Sequence, residues 1–154
     1  MEKNLFKLDY NIVLTRINKY TGKIIDVEKI HNTVVNNGLN LVRDFLGDVS
    51  VNAPKYIAIG TDDTSATTSD TALGVEVTRE LASIDVETDY EVEFSKTFEF
   101  GSGESYGINE VGLFDNAVES GSTMFNHAIA GSTKNVDSDT NLTVTITVSV
   151  SRAV

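Results

Sequence analysis

Apolar and polar residues alternate most regularly near the end of the chain. There Leu142, Val144, Ile146, Val148 and Val150 share one side, and Thr143, Thr145, Thr147, Ser149 and Ser151 share the other. A period of two marks a strand with one buried face, and burying side chains of this size contributes roughly 1.5 to 3 kcal/mol each. The pattern predicts a strand in the middle of a sheet, without which the chain would not fold. From Tyr90 to Phe100 every even position except Lys96 is apolar, which predicts a second long strand of about 35 Å.

Shorter runs fill in the rest. Tyr10–Ile17 and Ile24–Ile30 flank a polar turn containing Gly22 and read as a hairpin. Tyr56–Gly60 follows the only proline, Pro54, and reads as a strand, as do Ile108–Phe114 and Phe125–Ile129. One stretch carries a helical period instead: Leu39, Val42, Phe45 and Leu46 fall on one face of a helix over residues 37–46, with Asn36 or Asn37 as cap and Gly47 as the left-handed residue after its end. Thr61 to Thr71 is polar and almost without large side chains, and predicts an exposed loop.

The expected fold is therefore mainly β: an antiparallel sandwich of about seven or eight strands with one helix packed on it, a small closed barrel being the alternative. A length of 154 residues, with 40% hydrophobic and 23% charged, fits one folded domain spanning residues 1–154.

Charge narrows the partners. A net charge of −11 repels a phosphate backbone and an anionic membrane surface, so neither nucleic acid nor membrane is expected as a partner. The chain has no cysteine, which excludes disulfides, thiolate metal sites and a Cys nucleophile. Met1–Asp9 has no leader-like apolar run, and no segment approaches the roughly 18 apolar residues of a membrane span.

Candidate chemistry is sparse, and no catalytic, cofactor or metal residue is assigned. His31 and His127 are the only histidines and stand 96 residues apart, with no nucleophile elbow beside them. Asp137-Ser138-Asp139-Thr140-Asn141 begins like a calcium loop, but Leu142 and Val148 occupy the positions that need Gly and Glu, so a polar turn is the better reading. Asp62, Asp63 and Asp70 could hold a divalent ion weakly, and a solvated loop explains them as well. Gly101-Ser102-Gly103 lacks a following helix and Lys-Thr, so it reads as a turn and not a phosphate loop. Asn141-Leu142-Thr143 matches a glycosylation acceptor that a cytoplasmic chain never uses. Glu110 lies among apolar neighbours and requires solvent or a cation such as Arg79 or Arg16.

Three segments carry a resemblance. His31–Leu39 with its Asn36-Asn37-Gly38, Ile57–Glu76 with its Gly60-Thr61 and Asp70-Thr71-Ala72-Leu73, and Ile108–Asp115 with its Glu110-Val111-Gly112-Leu113-Phe114 together resemble virion proteins of tailed phages, in particular tail-collar fibre and baseplate-associated modules. The resemblance covers about half of the chain, from His31 to Asp115. It implies a non-catalytic part of a virion, made in the host cytoplasm, that assembles in symmetric copies with other tail, baseplate or capsid proteins. The chain stops at Val154 without a shaft, which favours a tail or baseplate adaptor, or a capsid decoration protein, over a receptor-reaching fibre. Two contact surfaces are expected: the loop with Thr61, Asp62, Asp63, Thr64 and Asp70, and the turn with Gly101, Ser102, Gly103 and Tyr106. A carbohydrate-binding sandwich using Tyr10, Tyr20, Tyr56, Tyr90 or Tyr106 is the rival from another class, and a hydrolase built on the two histidines a third.

Overall fold

The computed structural model describes residues 6–87 and 89–153; Met1–Leu5, Thr88 and Val154 lie outside the described residues, and with them most of the N-terminal stretch read for a leader. The elements follow in the order β1 (Phe6–Asn18), β2 (Ile24–Ile30), β3 (Asn32–Val34), α1 (Asn36–Leu46), β4 (Tyr56–Gly60), β5 (Glu76–Leu81), β6 (Ser83–Val86), β7 (Glu91–Phe98), β8 (Ser105–Phe114), β9 (Met124–Asp137) and β10 (Thr140–Arg152).

All strand pairs are antiparallel and fall into two layers. One is ordered β6-β7-β10-β1-β2 and the other β3-β9-β8-β4-β5, joined where β9 turns into β10 at Asp137 and Thr140. The pairing path is open at both ends, so the fold is a sandwich-like mainly β arrangement and not a closed barrel. The ten strands among the described residues exceed the expected seven or eight because β3, β5 and β6, of three, six and four residues, are too short to show a long period.

The long alternating run behaves as its pattern requires. β10 lies between β1 and β7, with Leu142, Val144 and Ile146 fully buried and opposed by Arg16, Leu14 and Ile12 of β1. On its other side Thr143 shares a 2.7 Å hydroxyl hydrogen bond with Thr97. Facing these, Ile57 and Ile59 of β4 with Val111 and Leu113 of β8 complete one core between the layers. Val150 departs from the expectation: it is 45% exposed, at the border of an open groove beside Leu8 and Val148. β7 ends at Phe98, so the strand is shorter than the Tyr90–Phe100 alternation, although Phe100 stays in the core.

The helix forms where predicted and turns a different face inward. Gly38 and Leu41 are its buried residues, whereas Leu39 and Leu46 are exposed and Phe45 is half-exposed. The cause is Gly38, which sits directly on the Phe125 backbone, where any Cβ would collide with the carbonyl. That contact centres the face on Gly38, Leu41, Val42 and Phe45, an i, i+3, i+4, i+7 set. The cap also differs. Val35 precedes the first turn without a side-chain cap, the Asn36 N–H donates instead to the Thr68 carbonyl at 2.7 Å, and Asp48, not Gly47, takes the left-handed conformation after the end.

An ion cluster ties β2 to β9. Buried Lys134 reaches Glu28 at 2.6 Å and Asp26 at 3.7 Å, while Arg16 grips Asp26 with two hydrogen bonds of 2.9 and 2.8 Å. The Arg16 hydrogen bonds hold the Asp26 carboxyl below the usual carboxylate range, against the opposing effect of burial.

Candidate functional site

The outer face of the second layer carries the only pair of carboxylates that meets a histidine among the described hydrogen bonds. Glu110 reaches that face through a break in the strand: Ile108, Val111 and Leu113 all point into the main core, so the alternation slips by one residue at Asn109, where the pairing of β8 with β9 shifts register. A bulge of this kind re-aims the side chains that follow it. Glu110 thereby joins Gly112 and Phe114 on the outer face, beside His127 of β9 and Gly60 of β4.

A strap covers this face. The residues from Thr61 to Val75 leave β4 and return to β5, and on the way Leu73 drops into a second apolar cluster with Val35, Ala58, Phe114 and Met124. The strap's backbone is pinned by Glu110, whose carboxylate accepts the N–H groups of Val75 at 2.8 Å, Gly74 at 2.9 Å and Asp62 at 3.3 Å. Glu110 is completely buried. Its remaining contact is His127 Nε2 at 3.0 Å, and His127 Nδ1 lies 2.7 Å from Asp70 of the strap. Ionised carboxylates only accept, so the two contacts together require hydrogen on both ring nitrogens or on one carboxyl.

Asp70 is itself built into a small turn. Burial works against its charge, yet the Thr67 N–H, the Thr67 hydroxyl and His127 together hold its carboxyl below the usual range. Two glycines make the close approach possible. A Cβ at Gly60 would strike the Glu110 carboxylate and the Val75 carbonyl, and one at Gly74 would strike the Asp62 side chain.

The cations expected for Glu110 serve elsewhere. Arg79 forks onto Glu76 at 2.9 and 2.8 Å and lies 3.8 Å over the Phe114 ring, and Arg16 pairs with Asp26. A buried carboxylate satisfied by three backbone N–H groups and an imidazole has no need of a guanidinium. The sequence signals for this were the slipped alternation around Asn109-Glu110 and the paired glycines Gly60 and Gly74.

The expected exposed loop is therefore only partly free. Asp63 and Thr64 are exposed, while Thr61, Asp62 and Asp70 are half-buried and engaged. In the second expected contact region Gly101, Ser102 and Gly103 are exposed, with Gly103 in the left-handed conformation, and Tyr106 tilts against Phe100 at 5.9 Å. Asn109 links the two regions by donating to the Thr61 carbonyl at 2.9 Å and the Gly107 carbonyl at 3.4 Å.

The other candidates do not converge. His31 is exposed, and neither ring nitrogen of His127 is free to take a proton from a hydroxyl. The five tyrosines form no common platform: Tyr10 is buried against Phe125, while exposed Tyr20 and Tyr90 lie at opposite ends of the first layer. Burial raises the Tyr10 phenol's pKa above its ordinary value. The Asp137–Asn141 segment is the turn between β9 and β10, in which the Asp137 carboxylate accepts the Asp139 N–H. Among the described residues no group of three or more His, Asp or Glu side chains is disposed to hold a metal ion, and no helix is long and apolar enough to cross a membrane.

What the arrangement does chemically is fasten a loop to a sheet face with buried, fully paired polar groups. The fold and this latch define a sandwich-like β protein with an internally strapped second layer. Comparison with protein-family models, curated proteins and solved structures finds no significant match to the chain.

Proposed function

We propose that this chain is a non-catalytic structural component of a tailed-phage particle, assembled in several copies as a tail or baseplate accessory protein. The observation that carries the reading is where the three resembling segments go. They lie far apart in sequence, yet Val35 and Asn36 of the first, Gly60 to Val75 of the second and Glu110 of the third all meet at the strap latch. A residue pattern that serves one long-range structural knot supports a shared architecture, and the polar groups in it are consumed by that knot.

The first layer adds support of a second kind. Its free end exposes apolar side chains beyond the core, as a subunit built to be covered by neighbours would.

Mass spectrometry of purified particles encoding this chain, separated into heads and tails with copy numbers, tests the reading. Tens of copies or fewer on tails is the expected result. Several hundred copies on heads would instead make it a capsid decoration protein, and absence from all particles would end the proposal.

A further inference from the structure

The end of the first layer combines an unpaired strand edge with an apolar groove. β6 pairs with β7 on one side, and among the described residues no strand pairs with its other edge. Its inward-pointing residue Ile84 sits opposite Phe94, and Val86 sits opposite Val92. Ile84, Phe94 and Val92 line a groove of about 370 Å³, walled also by Val42 and Phe45 of the helix, Pro54, and Val148 and Val150 of β10, with almost no polar surface; Val86 lies on the same side of β6, just beyond it. Ile84 is 47% exposed and Phe45 46%, so the groove lies open.

The β6–β7 hairpin beside the groove has a single sign of charge. Asp85, Glu87, Asp89 and Glu91 are exposed and Glu93 is half-buried, with no Lys or Arg between Arg79 and Lys96. Lys96 is already engaged with Glu80 at 2.6 Å. Arg152 lies on β10 beside Tyr90, and Lys7 one strand further away on β1. Lys55 marks the other end of β6, where its carbonyl accepts the Ala82 N–H. An unpaired edge supplies backbone groups, the groove supplies sockets for alternate side chains, and the carboxylates select the charge of what enters. A second copy of this chain fits poorly, because edge-to-edge pairing would set these carboxylates against one another.

We propose that the β6 edge and its groove bind an extended segment of another protein, in which apolar residues alternate with Lys or Arg. The segment adds to β6 as a further strand, drops its apolar side chains over Ile84 and Val86, and turns its cations toward Asp85 and Glu87. The proposal rests on the assembly reading for the origin of that segment, which would be an arm or terminus of a neighbouring particle protein.

The probe is the peptide acetyl-Lys-Val-Lys-Ile-Lys-Val-Lys-amide, titrated against the full chain. It should bind saturably and at least about tenfold more tightly than the same peptide with Glu for Lys, or than one with its cations and apolar residues segregated into blocks. It should also slow amide exchange at Ser83–Val86 and weaken as salt is raised. Ile84→Asp should abolish binding with the circular-dichroism spectrum and urea midpoint unchanged. The double variant Asp85→Lys, Glu87→Lys should shift preference to the Glu peptide, a gain that misfolding cannot mimic. No binding, equal binding of the segregated peptide, or self-association abolished by Ile84→Asp would each overturn the proposal. Failure here leaves the assembly reading standing if the chain is found in particles. A chain that binds the peptide but is absent from particles reverses that outcome.

Discussion

Two apolar surfaces lie outside the central core, and they are treated in opposite ways. On the outer face of the second layer, Ala58, Phe114 and Met124 are covered by the chain's own strap, with Leu73 inserted and Glu110, His127 and Asp70 fastening it. At the end of the first layer, Ile84, Phe45 and Val150 border an open groove that no segment of the described residues crosses. The difference lies in the polar groups. Where the chain closes over itself it buries a carboxylate and satisfies it fully; where it stays open the carboxylates stand solvated on the hairpin beside it. A buried latch speaks for permanence, and an unpaired charged edge speaks for selection of something from outside.

The comparison can be broken first at Glu110. Glu110→Ala leaves three N–H groups and His127 without an acceptor in a buried site and should cost about 3–5 kcal/mol in urea unfolding. A loss below about 1 kcal/mol would mean that the strap is held by apolar contact alone. Leu73→Ala tests that other contribution and should cost about 2–4 kcal/mol, with faster amide exchange confined to the strap. Acid should act next. The Asp70 carboxyl is held below its ordinary value in the folded state, so its stabilisation is complete above the unfolded value near about pH 4 and fades as pH falls through the lowered one. Proteolysis within the strap should accelerate over that range, and Asp70→Asn should remove this part of the acid dependence. The smallest effect belongs to the open surface: Ile84→Asp should change stability by no more than ~0.5 kcal/mol, since the side chain is half in water already. A large loss there would show that the groove is part of the core.

Much of the architecture was legible in the sequence where periodicity was long. β10, β7 and the β1–β2 hairpin follow from alternation alone, and α1 follows from its helical period. The inward face of α1 does not follow from apolarity, because backbone proximity decides it: Gly38 contributes no side chain, yet it sets the rotation of the helix. The strap was harder still. A polar, Thr-rich composition describes a loop in solvent, and nothing local announces that Asp70 will meet His127 or that Glu110 will gather N–H groups 35, 36 and 48 residues away in sequence. Val150 follows its strand's pattern yet is 45% exposed, since alternation assigns a side and does not tell whether anything faces it.

The pairing of β1 with β10 runs along thirteen residues of each strand and joins partners such as Ile12 and Ile146, which are 146 − 12 = 134 positions apart. During synthesis, β1 therefore waits, with its apolar side unmatched by its principal neighbour, until residues 140–152 have left the ribosome. Registry of this span favours slow, late closure of the first layer, and a nascent chain that chaperones would meet with one greasy ribbon still showing.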